Sequence, residues 1–313
     1  MSYPQLALHV AGEWLTEASG GARPVLNPAD GSTLGILPLA GLAELDAAAD
    51  AAERGYRVWR RRSPHDRYVV LRRAAGLMRE RAAVMAEVLT LEQGKPLAEA
   101  LREVTLSADI LDVQAEEGKR LYGRTVAPRV EGILSQTVLR QPVGPVAAFT
   151  PWIFPVNLPV RKLGSALAAG CSVVIKPDEH TPASCQLLIR CLLDAGLPAE
   201  VVSMVCGVPP QVSTTLIDHP AITKVSITGS VMVGKLLAEQ AARRMKRFTG
   251  ELGGHAPVIV CDDMARDSAG LAAVLKASLA AKYRNAGQVC ASPIRFYLPR
   301  AQADEFARSF AIG

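Results

Sequence analysis

Between residues 44 and 120 apolar side chains recur three and four positions apart: Leu45, Ala48, Ala52; Val69, Ala74, Leu77; Val84, Val88, Leu91; then Leu101, Val104 and Leu111. That spacing keeps one face of a helix apolar and predicts three helices, separated by Pro64 and by the Gly94-Lys95-Pro96 turn. Ahead of them, Pro, Gly and Asn27-Pro28 punctuate Val25, Leu26, Leu34 and Ile36, the mark of short strands and turns. From 121 to 141 Tyr122, Val126, Ile133, Val138 and Leu139 flank Pro128 and Gly132, which predicts an extended hairpin. Beyond 143 short β-rich runs alternate with helical ones. The predicted strands are Val146–Thr150, Val173–Lys176, Val201–Val205 and Thr223–Thr228, with helices over about 158–169, 182–195, 209–217 and 231–245. A second α/β segment follows, with a strand at Val258–Val260, a helix over about 267–283, a loop holding Cys290 and a strand near Arg295–Leu298.

Alternation of this kind predicts an α/β class with a doubly wound parallel sheet, the usual setting of a Rossmann-like dinucleotide site. The 313 residues suffice for roughly two domains with real cores. Hydrophobic content of 49% and charged content of 21% describe an ordinary globular chain, and a net charge of +5 identifies no partner. The arginine run Arg54, Arg57, Arg60, Arg61, Arg62 and Arg67 comes without any nucleic-acid-binding motif, so it reads as a solvated helix face and no nucleic acid is expected. Apolar stretches are broken by Arg, Lys or Pro, and Met1–Val10 has no signal-peptide pattern, so neither membrane span nor secretion is expected, and a cytoplasmic setting is. Six cysteines without C-x-x-C spacing suggest neither disulfides nor a metal site. Five of them read as core residues.

The remaining cysteine, Cys290, closes Asn285-Ala286-Gly287-Gln288-Val289-Cys290, a Gly-containing loop rather than an apolar run. A nucleophilic thiol needs such exposure, nearby backbone N–H groups and a base. Glu251, in Glu251-Leu252-Gly253-Gly254, is the candidate base, because paired glycines allow close backbone approach. No G-x-G-x-x-G fingerprint follows any predicted strand. In its place Thr228-Gly229-Ser230-Val231-Met232-Val233-Gly234 joins a strand to a helix, where free N–H groups and the helix dipole suit a phosphate. Simple capping explains such a turn equally well. Lys176-Pro177-Asp178-Glu179, at another strand end, offers a cation and a carboxylate to ribose hydroxyls.

Taken together, Thr150-Pro151-Trp152-Ile153-Phe154-Pro155, Lys176–Glu179, the Gly229–Gly234 turn, Glu251–Gly254 and Asn285–Cys290 occur in one order. That order resembles the aldehyde dehydrogenase superfamily over nearly the whole chain, including Leu91-Glu92-Gln93-Gly94-Lys95-Pro96 and Arg161-Lys162. The resemblance implies that Cys290 attacks an aldehyde carbon to give a thiohemiacetal, that hydride leaves for a nicotinamide ring, and that water activated by Glu251 hydrolyses the thioester. It implies that Lys176 and Glu179 hold the adenosine ribose and that Gly229, Ser230 and Gly234 approach the pyrophosphate. Thr150, Pro151, Trp152 and Leu252 complete the implied cofactor-binding set. A carboxylate at Glu179 would repel a 2′-phosphate, so NAD is expected, with NADP possible. A narrower similarity, to succinate-semialdehyde and related ω-carboxy-semialdehyde dehydrogenases, implies that Arg161 and Arg284 bind the substrate's distal carboxylate.

The chain departs from the family pattern at Ile153, where the family carries an Asn that stabilises the thiohemiacetal oxyanion. The stretch from Glu251 to Cys290 is also a few residues longer than usual, around Met264–Leu271. Family members continue past residue 313, so the chain is expected to be the N-terminal part of one, inactive on its own. Its expected organisation is residues 1–120 and 142–254 as the NAD-binding domain, 121–141 as an oligomerisation hairpin of a dimer or tetramer, and 255–313 as an incomplete catalytic domain. The alternative is an inactive relative that binds only dinucleotide or a partner subunit.

Overall fold

The computed structural model describes residues 3–312. The chain divides into two compact units, Met1–Glu251 and Leu252–Gly313.

The first unit opens with β1 (Leu8–Val10), β2 (Glu13–Leu15), β3 (Ala22–Leu26) and β4 (Thr33–Pro38). Four helices follow: α1 (Leu42–Trp59), α2 (Pro64–Glu80), α3 (Ala82–Gln93) and α4 (Leu97–Gly118). Three were expected from the periodicity. The additional break falls at Arg81, which carries neither Pro nor Gly but leaves helical backbone at φ −97°, ψ 8°. Its guanidinium pairs with Asp194, 2.6 Å away and 113 residues on, a tertiary contact invisible to local spacing. Next come the exposed antiparallel hairpin β5 (Arg124–Val126) and β6 (Gln136–Val138), then β7 (Val146–Phe149), α5 (Asn157–Ala168), β8 (Val173–Lys176), α6 (Pro182–Asp194), β9 (Val202–Met204), α7 (Pro209–Asp218), β10 (Lys224–Gly229), α8 (Val231–Arg243) and β11 (Arg247–Leu252).

The expected α/β architecture is observed. Seven strands form one sheet in the order β11-β10-β7-β8-β9-β1-β2. Strands β10, β7, β8 and β9 pair in parallel, while β1 joins β9 antiparallel. Every residue of β7 and β8 is buried, as in a central parallel strand covered on both faces. Alternation within β7 divides the core in two. Val146 and Ala148 pack with helices α2 to α6, whereas Ala147 and Phe149 pack with α1, α7 and α8. Strands β1, β2 and β11 were not anticipated as members of this sheet: β1 and β2, three residues each, carry too few residues to show a period, and β11 is an edge strand whose residues are mostly exposed.

The arginine run of α1 and α2 is tied down by the fold. Arg54 pairs with Glu200 at 2.8 Å and Arg57 with Glu53 at 3.0 Å. Arg67 corrects the expectation of a wholly solvated face: it is buried and donates to the carbonyl oxygens of Ala168 and Arg62.

Two buried carboxylates from the α3–α4 region reach helix N-termini elsewhere. Glu92 accepts from the backbone N–H groups of Ala183 at 3.0 Å and Ser184 at 2.8 Å, in the first turn of α6, and from the Tyr3 hydroxyl at 2.7 Å. Burial nevertheless pushes its carboxyl up to about 7 from the usual 4.5, with the donors pulling the other way. The folded state therefore holds this proton more tightly than the unfolded chain, and the associated stability, present below pH 4.5, is lost as pH rises through 7. A shift of this size corresponds to roughly 3 kcal/mol. In a difference between wild type and Glu92→Gln, the wild-type melting temperature should fall relative to the variant between pH 4.5 and 7. Parallel pH profiles would remove Glu92 as the cause.

The second unit contains β12 (Ala256–Ile259), α9 (Asp262–Arg266), α10 (Ser268–Tyr283), β13 (Pro293–Tyr297) and α11 (Arg300–Ile312). β12 and β13 pair in parallel, and Phe296, Phe306 and Phe310 cluster with ring centroids 5.2–5.7 Å apart. The stretch around Met264 forms the short α9 and the start of α10. No helix among the described residues is long and apolar enough to cross a membrane.

Candidate functional site

Chain order reverses beside β7: β8 and β9 extend the sheet to one side, and α7 carries the chain back to lay β10 on the other. Carboxyl ends at such a switch point open a crevice. Register brings the ends level, since Phe149 faces both Lys176 and Ile227. Thr150, Lys176 and Thr228 thus sit at one edge, with the Thr150 N–H donating to the Lys176 carbonyl at 3.1 Å.

Four helices start at this edge; α7 opens on Pro209-Pro210, which carry no N–H groups, and the N-termini of the other three differ. Glu103 Oε1 accepts from the N–H groups of Val156 and Asn157, both at 3.0 Å, and closes α5. Glu92 closes α6. Only Ser230 caps α8, its Oγ accepting from the Val233 N–H at 3.2 Å, and Ser230 and Val231–Val233 are exposed. A protein carboxylate already holds the positive end of α5 and α6, which leaves α8 available to an external anion. Glycine at 229 is not demanded by packing: an added Cβ would meet nothing nearer than Ile227 at 3.4 Å. Gly234 is buried one turn into α8, its N–H bonded to the Ser230 carbonyl.

Across the crevice Lys176 Nζ lies 2.5 Å from Glu179 Oε1, both side chains about a tenth exposed. The buried Thr150 hydroxyl has no hydrogen-bond partner among the described residues, so a polar atom at this edge is left for a ligand. These groups fit a dinucleotide, with donor and acceptor for ribose hydroxyls and free N–H groups for phosphate. Pro151, Trp152 and Ile153 are half-buried in the turn after β7. The Ile153 carbonyl accepts from Lys95 Nζ at 3.2 Å, and Lys95 in turn forms a buried ion pair with Glu103.

Sequence reasoning noted Lys162 only as a neighbour of Arg161. It is buried on the inner face of α5, and its Nζ donates to Ser226 Oγ at 3.0 Å. Burial pulls its ammonium down to about 8, and the charge of Glu251, at the end of β11, works against that fall. The available signal was its position among Leu158, Leu163 and Leu167, where a solvated lysine is out of place. Glu251 itself is exposed, as are Arg161 and the two glycines after Leu252.

In the second unit Cys290 and Arg284 are exposed. The segment between them is wound left-handed: Asn285, Ala286 and Gly287 have φ of 54°, 54° and 75°. For Asn and Ala this backbone is strained by about 1–3 kcal/mol each, a cost that clusters at functional loops. Asn285, itself buried, supports the turn by donating from Nδ2 to the Gln288 carbonyl at 2.9 Å. Cys261 corrects the expectation that the other five cysteines are core. It stands at the N-cap position of α9, just past the end of β12, and is exposed. Cys171, Cys185, Cys191 and Cys206 are buried as expected, and burial raises each thiol above its ordinary value.

Known proteins place this architecture. Residues 14–311 match the aldehyde dehydrogenase family. The chain is 44% identical over 303 residues to 4-(hydroxymethyl)benzenesulfonate dehydrogenase TsaD1 of Comamonas testosteroni, covering 97% of this chain and 62% of that protein. It is 43% identical over 298 residues to succinate-semialdehyde dehydrogenase [NADP(+)] of Escherichia coli, covering 95% and 61%. The crystal structure of succinate-semialdehyde dehydrogenase from Burkholderia pseudomallei superposes with a TM-score of 0.93 at 40% identity, covering 98% of this chain and 62% of that one. The chain thus spans about 62% of the length of the curated relatives it matches. With the fold, the order of the motifs and these matches in agreement, the chain belongs to the aldehyde dehydrogenase family.

Proposed function

We propose that this chain carries the dinucleotide site and the reactive thiol of an NAD-dependent dehydrogenase acting on an aldehyde with a distal carboxylate, succinate semialdehyde or a close homologue. The observation that carries the reading is the crevice edge: α5 and α6 each begin at a buried carboxylate and α7 begins on two prolines, while α8 begins at an exposed serine and shares its edge with the Lys176–Glu179 pair and the unpartnered Thr150 hydroxyl.

On this reading Gly229, Ser230 and Gly234 lie under the pyrophosphate, and Lys176 and Glu179 take the ribose. The carboxylate of Glu179 accepts from a 2′-hydroxyl and repels a 2′-phosphate, which favours NAD even though the E. coli relative is named for NADP(+). A bound nicotinamide supplies the hydride acceptor. Cys290 attacks the aldehyde carbon, Glu251 takes a proton from the water that releases the acid, and Lys162 holds a proton within reach of that carboxylate's field. Arg161 and Arg284 bind the distal carboxylate as bidentate forks. The exposed β5–β6 hairpin, flanked by exposed Leu121, Tyr122, Leu134 and Leu139, is the surface through which a dimer or tetramer forms. A second reading, a dinucleotide-binding relative with impaired chemistry, is favoured by Ile153 alone.

The test is dinucleotide reduction by succinate semialdehyde and by butanal, in this chain extended with the C-terminal part of the E. coli relative that lies beyond the matched region. Arg284→Ala should raise KM for succinate semialdehyde by about ten- to a hundredfold, the loss of one charge-assisted bond, and leave butanal unchanged. Equal effects on both aldehydes would argue against carboxylate recognition, and turnover that survives Cys290→Ala would remove the thiol from the mechanism.

A further inference from the structure

Asn157 begins α5, and its side chain bonds both to Ser107 and to Arg161. Its hydrogen bonds form a directed chain. The fully buried Ser107 hydroxyl donates to the Glu103 carbonyl at 2.6 Å, so its lone pairs are turned toward Asn157, whose Nδ2 donates to it at 3.2 Å. The amide nitrogen is thereby committed, and Oδ1 is left to accept from Arg161 Nε at 2.9 Å. Both ends of the arrangement are anchored in backbone. The Asn157 N–H donates to Glu103 Oε1 at 3.0 Å, and the Arg161 carbonyl accepts from Gln114 Nε2 at 3.0 Å.

An arginine on an exposed helix face samples many rotamers, and freezing them opposes ligand binding. Here the guanidinium is held by Nε before any ligand arrives, and the opposite edge, formed by the two Nη groups, stays free for a planar carboxylate. We propose that Asn157 is a positioning residue that presents the Nη edge of Arg161 to the distal carboxylate of the aldehyde, and so helps to select carboxylate-tailed substrates. The proposal rests on the reading of Arg161 given above.

The experiment uses the chain as it stands. Phenylglyoxal modifies accessible guanidinium groups, peptide mapping reads Arg161, and succinate is the competing probe. Wild-type Arg161 should be protected by succinate, while Asn157→Leu should need about tenfold more succinate for equal protection, the size of one lost hydrogen bond's worth of orientation. Ser107→Ala, a smaller change that only frees the amide to turn, should fall between the two. Throughout, Cys171, Cys185 and Cys206 should stay unreactive to alkylation, which reports an intact fold. Equal protection in wild type and both variants overturns the positioning role alone. No protection in wild type overturns the carboxylate reading of Arg161 and the positioning role with it. Protection lost only together with exposure of the buried thiols assigns Asn157 a structural role and overturns the proposal.

Discussion

Asparagine in place of Ile153 is expected to raise kcat by as much as about 10²–10³-fold, in the extended chain described above, with little change in dinucleotide affinity. The physical reason lies in the charge that develops on the aldehyde oxygen when the thiolate adds. On the proposed mechanism, the alkyl side chain of Ile153 offers that oxygen no donor where an amide would. The surrounding turn is already rigid, because the Ile153 carbonyl is held by Lys95 and the following helix start by Glu103. A new amide therefore enters a preorganised backbone rather than a floppy one. Steady-state rates with succinate semialdehyde, alongside a binding isotherm for NAD, decide the matter. An unchanged kcat would mean that another donor already serves the oxyanion, or that a step after hydride transfer limits turnover.

The largest stability effect is expected at Glu103. Its side chain is 3% exposed, pairs with Lys95 at 1%, and accepts from two backbone N–H groups of the turn into α5. Glu103→Gln leaves the Lys95 ammonium buried without a counter-charge, which costs about 3–5 kcal/mol. For a unit of this size that lowers the melting temperature by on the order of 10 °C. Burial already lowers the Lys95 ammonium below its usual range, with Glu103 opposing that fall. Without Glu103 it falls further. Between the folded and unfolded values the unfolded chain binds more protons, so the stability of the variant should rise with pH and its deficit should narrow toward pH 10. Adding Lys95→Met should restore part of the loss, since the stranded charge is then gone. A deficit independent of both pH and Lys95 would show that the two N–H contacts, and not the ion pair, carry the effect.

Both predictions concern one turn, Trp152–Asn157, and they separate two demands on it. Its chemistry depends on which side chain stands at 153. Its geometry depends on Lys95 in the α3–α4 turn and Glu103 in α4, each more than fifty positions earlier.

The alternation of strands and helices from 143 to 245 was legible from spacing alone, because a strand covered on both faces must be apolar throughout and a packed helix must be apolar on one stripe. The identity of the family was legible from five short motifs in one order, which reflect local backbone chemistry: glycines where the chain turns, a cap where a helix starts, a loop around a thiol. What spacing cannot report is which polar group is taken inside and what it meets there. Glu92 and Glu103 look like surface charges of amphipathic helices, yet each fills a helix N-terminus belonging to another part of the chain, 92 and 54 residues away. Lys162 reads as the neighbour of an arginine until α5 is laid on the sheet and brings it to Ser226, 64 residues on. Arg81, where a helix breaks, pairs with Asp194, and Cys261 stands exposed at the start of α9. Sequence determines the elements and the chemistry available to them, since both are local properties. The tertiary structure alone decides which charges are desolvated and paired, because burial is a property of the assembled layers and each such pair joins residues that no local window contains.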